Sequence, residues 1–555
     1  MLTNFSNFVY CVKIIHHMRE NHEKKRSGPT KTYKPVALII LDGLGVSQDK
    51  TISPWEAAAR PNFSEIEKNF PFTTLQASGI AVGLPWGEAG NSEVGHLTMG
   101  AGRVIYNYLP HISMAIKDGS FEQNNAFLKA IQHTQENNGA LHIVGLFSTG
   151  TVHAYSEHFY ALLDLAAKKK IKNVYLHLFT DGKDAPKQEG GGLFKKLEEN
   201  MTQNYFNMKI VSVVGRNFAM DRSGDWEKTK KAYDLLVKGE GGEFHSPSEH
   251  LKNNYQKNIS DDFVEPGLVA GKEGRIKDND AVIFFNFRED SARQLYRAFL
   301  DDNFTHFPQK KLNNVIFVTM TEYDKNLPCP TNRLTCLAAF KSIEIEQSLP
   351  KIISENNLKQ LHVAETEKYA HITYFLSGGI EAPFDGEDRI LVPSPVMDPY
   401  NKTSATSVAQ KIIENIKNYD FIAANFADTD TVGHSGDFEA TVKAIETIDA
   451  AVGKLMPEIL KSGGVMIITA DHGNAEEKMY KLSGEKKTEH STNPVPFYLV
   501  GDDFKKKIPS NKEEIERQYR NTVGALTDIA PTVLELLGIK KPAEMTGKNL
   551  LEKIL

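Results

Sequence analysis

Short, mostly apolar runs recur along the chain, and each stops at a polar turn. Val36 to Leu41 ends at Asp42-Gly43-Leu44-Gly45, Asp420 to Ala427 leads to Asp428, Asp430 and His434, and Gly464 to Ala470 runs into Asp471-His472-Gly473-Asn474. Runs of this length between turn residues predict buried parallel strands. A second group has different endings. His142 to Phe147 precedes Ser148-Thr149-Gly150-Thr151-Val152-His153, and Val174 to Phe179 precedes Thr180-Asp181-Gly182-Lys183-Asp184. Ile210 to Val214 precedes Gly215-Arg216, Ala281 to Phe287 precedes Arg288, and Val315 to Met320 precedes Glu322-Tyr323-Asp324. The pattern predicts an α/β protein of two domains. Strand ends rich in Asp and His flank those rich in Arg and Lys, so the second domain reads as an insertion into the first. The expected division is a flexible leader at 1–34, a discontinuous domain at 35–106 and 343–555, and an inserted domain at 107–342.

Composition narrows the function more than the fold. The chain has 555 residues, too many for one compact core, with 40% hydrophobic and 25% charged residues. Its 65 basic and 71 acidic residues leave a net charge of −6, which gives no electrostatic case for nucleic acid or a membrane surface. No apolar run approaches the roughly 20 residues needed to span a bilayer. The mildly apolar stretch from Phe5 to Ile15 lacks a following small-residue cleavage site, so no signal peptide is expected. Cys11, Cys329 and Cys336 have no metal-type spacing, and their odd number argues against a disulfide framework. A cytoplasmic, reducing setting and a monomer are the expectations.

The candidate chemistry lies at the strand ends. In open α/β sheets, ligands bind beyond the carboxyl ends of the strands. Parallel neighbours ending in Asp42, Asp430, His434, Asp471 and His472 would therefore converge on one edge. Asp430 and His434 are four apart, a spacing that puts both on one side of a helical turn, although Gly433 and Gly436 weaken a regular helix. His490, downstream, is a further ligand candidate. Mixed carboxylate and imidazole ligands suit Mn, Zn, Co or Fe, and the carboxylates tolerate Mg. Ser92 lies in a glycine-rich stretch, Gly90-Asn91-Ser92-Glu93-Val94-Gly95-His96. Asn91 or Ser92 reads locally as the cap of a helix opening at Glu93. Beside metal ions the serine would instead become a nucleophile. Arg216, Arg222 and Arg288 of the insert point to an anion, because guanidinium meets carboxylate or phosphate bidentately.

The stretches G-N-S-E-V-G-H-L-T-M-G-A-G at 90–102, E-T-E-K-Y-A-H at 365–371, D-T-V-G-H at 430–434 and T-A-D-H-G-N-A-E at 469–476 resemble the cofactor-independent phosphoglycerate mutases of the alkaline phosphatase superfamily. The resemblance runs in order through residues 35–555 and implies an alkaline-phosphatase-like metal-binding domain carrying an inserted α/β domain. It implies that Ser92 is phosphorylated during turnover. Asp42, Ser92, Asp471 and His472 would then hold one divalent ion, and Asp430, His434 and His490 the other. Mn2+ is the first expectation, with Mg2+, Co2+ or Zn2+ as alternatives, and no bisphosphoglycerate is required. His153, Lys183, Asp184, Arg216, Arg222, Arg288 and Lys368 would grip the phosphoglycerate, with Asp184 and Lys368 also catalytic. Domain closure about the two crossings would exclude water from the phosphoserine.

Departures from the family wording fall mostly in the insert. Lys183 stands where the family has arginine, keeping the charge but losing the fork. Ser291 stands where a second arginine is usual, with Arg293 two residues on. Ser148 to His153 and Pro393 to Thr406 also differ from the usual wording. The altered rim supports an alternative, a metal-dependent phosphomonoesterase on the same scaffold. A non-catalytic phosphometabolite-binding protein is the third reading, and the intact ligand motifs speak against it.

Overall fold

The computed structural model describes residues 31–47, 49–271, 273–394 and 404–555. Sixteen strands occur among them and are numbered along the chain. The chain divides into two compact units, the first formed by residues up to Val82, Trp86–Ile105 and Ile345–Leu555, the second by Gly83–Pro85 and Tyr106–Glu344.

The first unit holds β1 (Val36–Leu41), β2 (Phe72–Gln76), β11 (Gln360–Glu365), β12 (Glu387–Val392), β13 (Phe421–Phe426), β14 (Val465–Thr469), β15 (Val495–Val500) and β16 (Thr522–Ala525). They form one sheet in the order β12-β11-β13-β1-β14-β15-β2-β16. All of β1 is buried, as an unbroken apolar strand covered on both faces must be. Each Val, Leu or Ile buried in this way contributes about 1.5–3 kcal/mol. Val36 pairs in parallel with both Phe421 and Val465, so β13, β1 and β14 run flush and end at one level. β15 is antiparallel to β14 and therefore begins at the edge where its neighbours end.

The second unit holds β3 (Leu141–Leu146), β4 (Val174–Thr180), β5 (Met208–Gly215), β6 (Gly242–Phe244), β7 (Gly267–Val269), β8 (Ala281–Phe284), β9 (Val315–Thr321) and β10 (Leu334–Phe340). Their order is β10-β9-β8-β3-β4-β5-β7-β6, and β8, β3, β4 and β5 are parallel neighbours. A buried polar ladder crosses this core. Asp280 Oδ2 lies 3.0 Å from His142 Nε2, His142 Nδ1 3.0 Å from His177 Nε2, and His177 Nδ1 2.8 Å from Ser212 Oγ. Each buried polar group in the ladder thus has a partner, which its burial demands.

Two expectations change. Cys329, in the β9–β10 connection, and Cys336, in β10, form a disulfide, because the chain turns back between them and brings their Cα atoms to 5.8 Å. Cysteine arithmetic missed it, since pairing depends on that turn and not on the count; Cys11 lies outside the described residues. The expected leader also lies outside them up to residue 30, but its end is fastened to the first unit. Tyr33 donates its backbone N–H to Leu536 O at 2.9 Å and its hydroxyl to Asp503 at 3.0 Å. No helix among the described residues is long and apolar enough to cross a membrane.

Candidate active site

In the first unit, Lys368 follows β11, Asp430 follows β13, Asp42 follows β1, and Asp471 and His472 follow β14. These are four adjacent parallel strands, so one edge collects all five side chains. His490 reaches the same edge from the loop before antiparallel β15. Ser92 opens the helix Ser92–Ala101, whose cap is Asn91, with Oδ1 accepting the Val94 N–H at 2.9 Å. The capping geometry and the site position therefore coexist. Gly95 lets this helix press against the β14 loop, since a Cβ there would lie 2.6 Å from Asp471 O.

Ser92 Oγ is the meeting point of the first cluster. It lies 3.0 Å from Asp42 Oδ1, 3.1 Å from His472 Nε2 and 2.8 Å from Lys368 Nζ. His472 Nε2 is 3.4 Å from Asp42 Oδ1 and 3.6 Å from Asp471 Oδ2. In the second cluster, Asp430 Oδ1 lies 3.3 Å from His434 Nε2 and 3.4 Å from His490 Nε2, and the two nitrogens are 3.2 Å apart. His434 sits at the end of a short helix, Asp428–Gly433, so the four-residue spacing converges despite its glycines. Lys368 links the clusters, donating to Asp42 Oδ1 and Asp430 Oδ2 at 2.7 Å each.

The donor chemistry fits cations. His490 Nδ1 lies 2.8 Å from Gly90 O, His434 Nδ1 3.1 Å from Thr488 O, and His472 Nδ1 3.3 Å from Gly473 O. Each carbonyl can accept an Nδ1–H and so turns Nε2 toward a cluster, the nitrogen that a metal-bound imidazole would offer. Asp471 Oδ2 is buried and has no hydrogen-bond partner among the described residues, a costly state unless a cation is bound. Asp430, His472 and His490 present ligand atoms within 4.8 Å of one another, as do Asp42, His96 and Asp471. His472 thus lies between the clusters.

Electrostatics agree with the geometry. Burial pushes the Asp42 carboxyl up, but the Lys368 ammonium and His472 together outweigh it and hold Asp42 well below the usual carboxylate range. Burial would lower Lys368, yet Asp42 and Asp430 raise it above an ordinary lysine. Burial would also lower His472, and the carboxylates of Asp471, Asp42 and Asp430 instead raise it to about 9. The carboxylates of the centre thus draw positive charge onto Lys368 and His472.

Sequence reasoning passed over several residues here. His96, one helical turn from Ser92, lies with Nδ1 2.8 Å from Ser92 O and Nε2 3.1 Å from Asn425 Nδ2. Asn425 in turn donates to Asp42 Oδ2 at 2.7 Å. The four-residue spacing from Ser92 was the available signal for His96. Asn425, the fifth residue of β13, carried none.

The second unit builds its rim by the same topology. His153 follows β3, Asp181 to Asp184 follow β4, Arg216 and Arg222 follow β5, and Arg288 follows β8. Arg216 Nη1 donates to Asp181 Oδ1 at 2.7 Å and to Asp184 Oδ2 at 2.5 Å. Arg222 and Arg288 both pair with Asp290, the latter at 3.2 Å. His153 lies 3.5 Å from Asp184 Oδ2 and 3.8 Å from Asp290 Oδ1. Burial first, and then Arg216, lower its imidazole to about 4. Lys183 is exposed. Ser291 donates its backbone N–H to Asp290 at 2.8 Å, while Arg293 Nε donates to Tyr323 O at 2.8 Å and so points to the packing of the unit. Arg293 does not join the cluster that holds Arg222 and Arg288. Of the altered stretch 393–406, residues 395–403 lie outside the described residues.

Residues 34–541 match the Metalloenzyme superfamily, the class of protein that these ligand clusters define. A 2,3-bisphosphoglycerate-independent phosphoglycerate mutase of Moorella thermoacetica is 44% identical over 529 residues, 94% of this chain and 99% of that protein. Namesakes from Clostridium novyi and Methanosarcina barkeri are each 43% identical, over 93% and 94% of this chain and 99% of their own lengths. The phosphoglycerate mutase of Leishmania mexicana, solved at low cobalt concentration, is 27% identical with a TM-score of 0.54, covering 93% of this chain and 97% of its own. The chain belongs to the family of 2,3-bisphosphoglycerate-independent phosphoglycerate mutases.

Proposed function

We propose that the chain interconverts 3-phosphoglycerate and 2-phosphoglycerate through a phosphoserine at Ser92, using two divalent ions and no bisphosphoglycerate. One observation carries the residue assignment: the Ser92 hydroxyl lies within 3.1 Å of Asp42, His472 and Lys368 together. Asp42, Ser92, Asp471 and His472 would hold one ion, and Asp430, His434 and His490 the other. Bound there, divalent ions would lower the pKa of the serine hydroxyl and offset the charge of the phosphoryl oxygens. Mn2+ is the first choice, since the donor set mixes carboxylate with imidazole.

In the first half-reaction Ser92 Oγ bonds to phosphorus while the bond from phosphorus to the C3 oxygen breaks. The serine proton is delivered to that oxygen by Asp184, which thereby serves as proton carrier. In the second half the C2 hydroxyl attacks the phosphoserine, its proton leaves by the same carrier, and Ser92 is restored. Lys368 stabilises charge on the transferring group, as a preorganised ammonium in a buried site can. His153, Lys183, Arg216, Arg222 and Arg288 hold the glycerate through both halves. The ligands of each cluster come from a single chain, which supports action as a monomer, and a reaction on glycolytic intermediates favours the cytoplasm.

One observation favours a phosphomonoesterase instead. With Ser291 in place of an arginine and Arg293 tied to Tyr323 O, the rim holds glycerate with one cation fewer, and water would then complete the reaction. Phosphorus NMR of 3-phosphoglycerate with Mn2+-loaded protein, without bisphosphoglycerate, separates the two readings. The expected result is a growing 2-phosphoglycerate signal, abolished by Ser92→Ala. Free phosphate as the sole product establishes the esterase, and turnover surviving Ser92→Ala overturns the phosphoserine.

A further inference from the structure

Glu476 is fully buried and is not among the candidate ligands. Its Oε2 accepts the backbone N–H of Gly45 at 3.0 Å and of Asn474 at 2.8 Å. Its Oε1 accepts Asn493 Nδ2 at 2.8 Å and the Ser491 hydroxyl. Gly45 is three residues past Asp42, Asn474 two past His472, and Ser491 directly follows His490. One carboxylate therefore ties together three segments that each deliver ligands. The two oxygens thus accept from two backbone N–H groups, an amide and a hydroxyl. Two glycines allow the approach. A Cβ on Gly45 would lie 2.5 Å from Glu476 Oε1, and one on Gly473 would lie 2.7 Å from the same atom.

A fourth segment is reached through Asn474. The buried ammonium of Lys478 donates to Gly433 O at 2.8 Å and to Asn474 Oδ1. The amide is thereby oriented so that Nδ2 donates to Asp430 Oδ1 at 2.8 Å. Glu476 holds the backbone of this asparagine and Lys478 holds its side chain. Ligands on loops keep their geometry only when such supporting bonds fix the loops.

We propose that Glu476 is the positioning residue that sets the separation of the two ligand clusters, acting through Gly45, Asn474 and Ser491 without ligating an ion itself. The inference rests on the two-ion reading above. It is tested by equilibrium Mn2+ titration, followed by the resonance of free Mn2+, and by the visible spectrum of the Co2+-loaded protein. Wild type is compared with Glu476→Gln and with Asp449→Asn. Asp449 is a buried carboxylate of the same unit that ties Asn62 and Phe63 to the helix Phe438–Lys461. Glu476→Gln is expected to bind both ions about 10–100-fold more weakly and to shift the Co2+ bands. Asp449→Asn is expected to lower the melting temperature and leave ion affinity at the wild-type value. Should Glu476→Gln not fold, Ser491→Ala removes one donor and is expected to weaken the ion held by Asp430, His434 and His490 more than the other. Wild-type affinity and spectrum in folded Glu476→Gln, equal weakening of both ions by Ser491→Ala, or the same weakening in Asp449→Asn, overturns the positioning role. Wild type that takes up fewer than two ions overturns the two-ion reading itself, and the inference with it.

Discussion

The two units build their rims by one topology and arrive at opposite electrostatics. Each gathers side chains beyond the carboxyl ends of four adjacent parallel strands. In the first unit the loops supply buried carboxylates, and His472 is raised to about 9 against its own burial. In the second the loops supply arginines, and burial together with Arg216 lowers His153 to about 4. The same type of residue is thus driven up by carboxylates in one unit and down by burial and an arginine in the other. Exposure differs as well. Asp42, Asp471 and His472 are wholly buried, whereas the Arg222 and Arg288 side chains are 60% and 47% exposed. A buried negative centre needs cations to be stable, while an exposed cationic rim already balanced by Asp184 and Asp290 can exchange those partners for an anion. Topology fixes where a ligand binds, and loop chemistry fixes its sign.

The sharpest way to break this comparison is to remove the cation that the first unit carries itself. Lys368→Met leaves Asp42 and Asp430 without their ammonium, and losing one partner of a buried pair costs about 3–5 kcal/mol. Thermal unfolding in a chelator should show that loss, and excess Mn2+ should recover most of it. Equal losses with and without Mn2+ would mean that Lys368 supports packing and not charge balance.

A smaller effect concerns pH. Burial lowers His158 of the second unit to about 3, and His153 stands at about 4. In the unfolded chain both titrate near 6.5, so below that pH the unfolded state binds protons that the folded state refuses. Stability of the second unit therefore falls as pH drops from about 6 to 4.5, with each histidine adding about 1.4 kcal/mol per pH unit. His472 has the opposite sign. In protein stripped of metal its contribution is complete below pH 6.5 and is lost as pH rises through about 9. Hydrogen exchange of β3 and β4 against β1 and β14 reads the two units separately, and His158→Gln should halve the acid slope of the former. A common pH response in both units would contradict the assignment.

The smallest stability effect belongs to the exposed rim. Arg222→Ala breaks a solvated pair with Asp290 and should change stability by less than about 1 kcal/mol. If the rim holds the substrate, KM for 3-phosphoglycerate should nonetheless rise by about tenfold or more, roughly 1.4 kcal/mol of lost binding. An unchanged KM removes Arg222 from the substrate site.

Much of this was legible in the chain itself. An unbroken apolar run marked β1, and nearly continuous ones marked β13 and β14, because strands covered on both faces leave little room for alternation, and the residues after them marked the ligands. The four-residue spacing of Asp430 and His434 announced a shared side, although the glycines obscured the helix that provides it. Local pattern could not show partners supplied by distant segments. His490 is aimed by Gly90 O, 400 residues earlier in the chain. Asp42 is steadied by Asn425, Glu476 joins segments that start at Gly45 and end at Asn493, and Arg293 is drawn away to Tyr323 O. The Cys329–Cys336 bridge depends likewise on how one connection turns. Apolar periodicity acts over a few residues and determined the strands and the kind of chemistry at their ends. Strand order, the antiparallel course of β15 and the buried hydrogen bonds between loops act across the whole chain, and only they decided which side chains meet and which nitrogen of each histidine faces the centre.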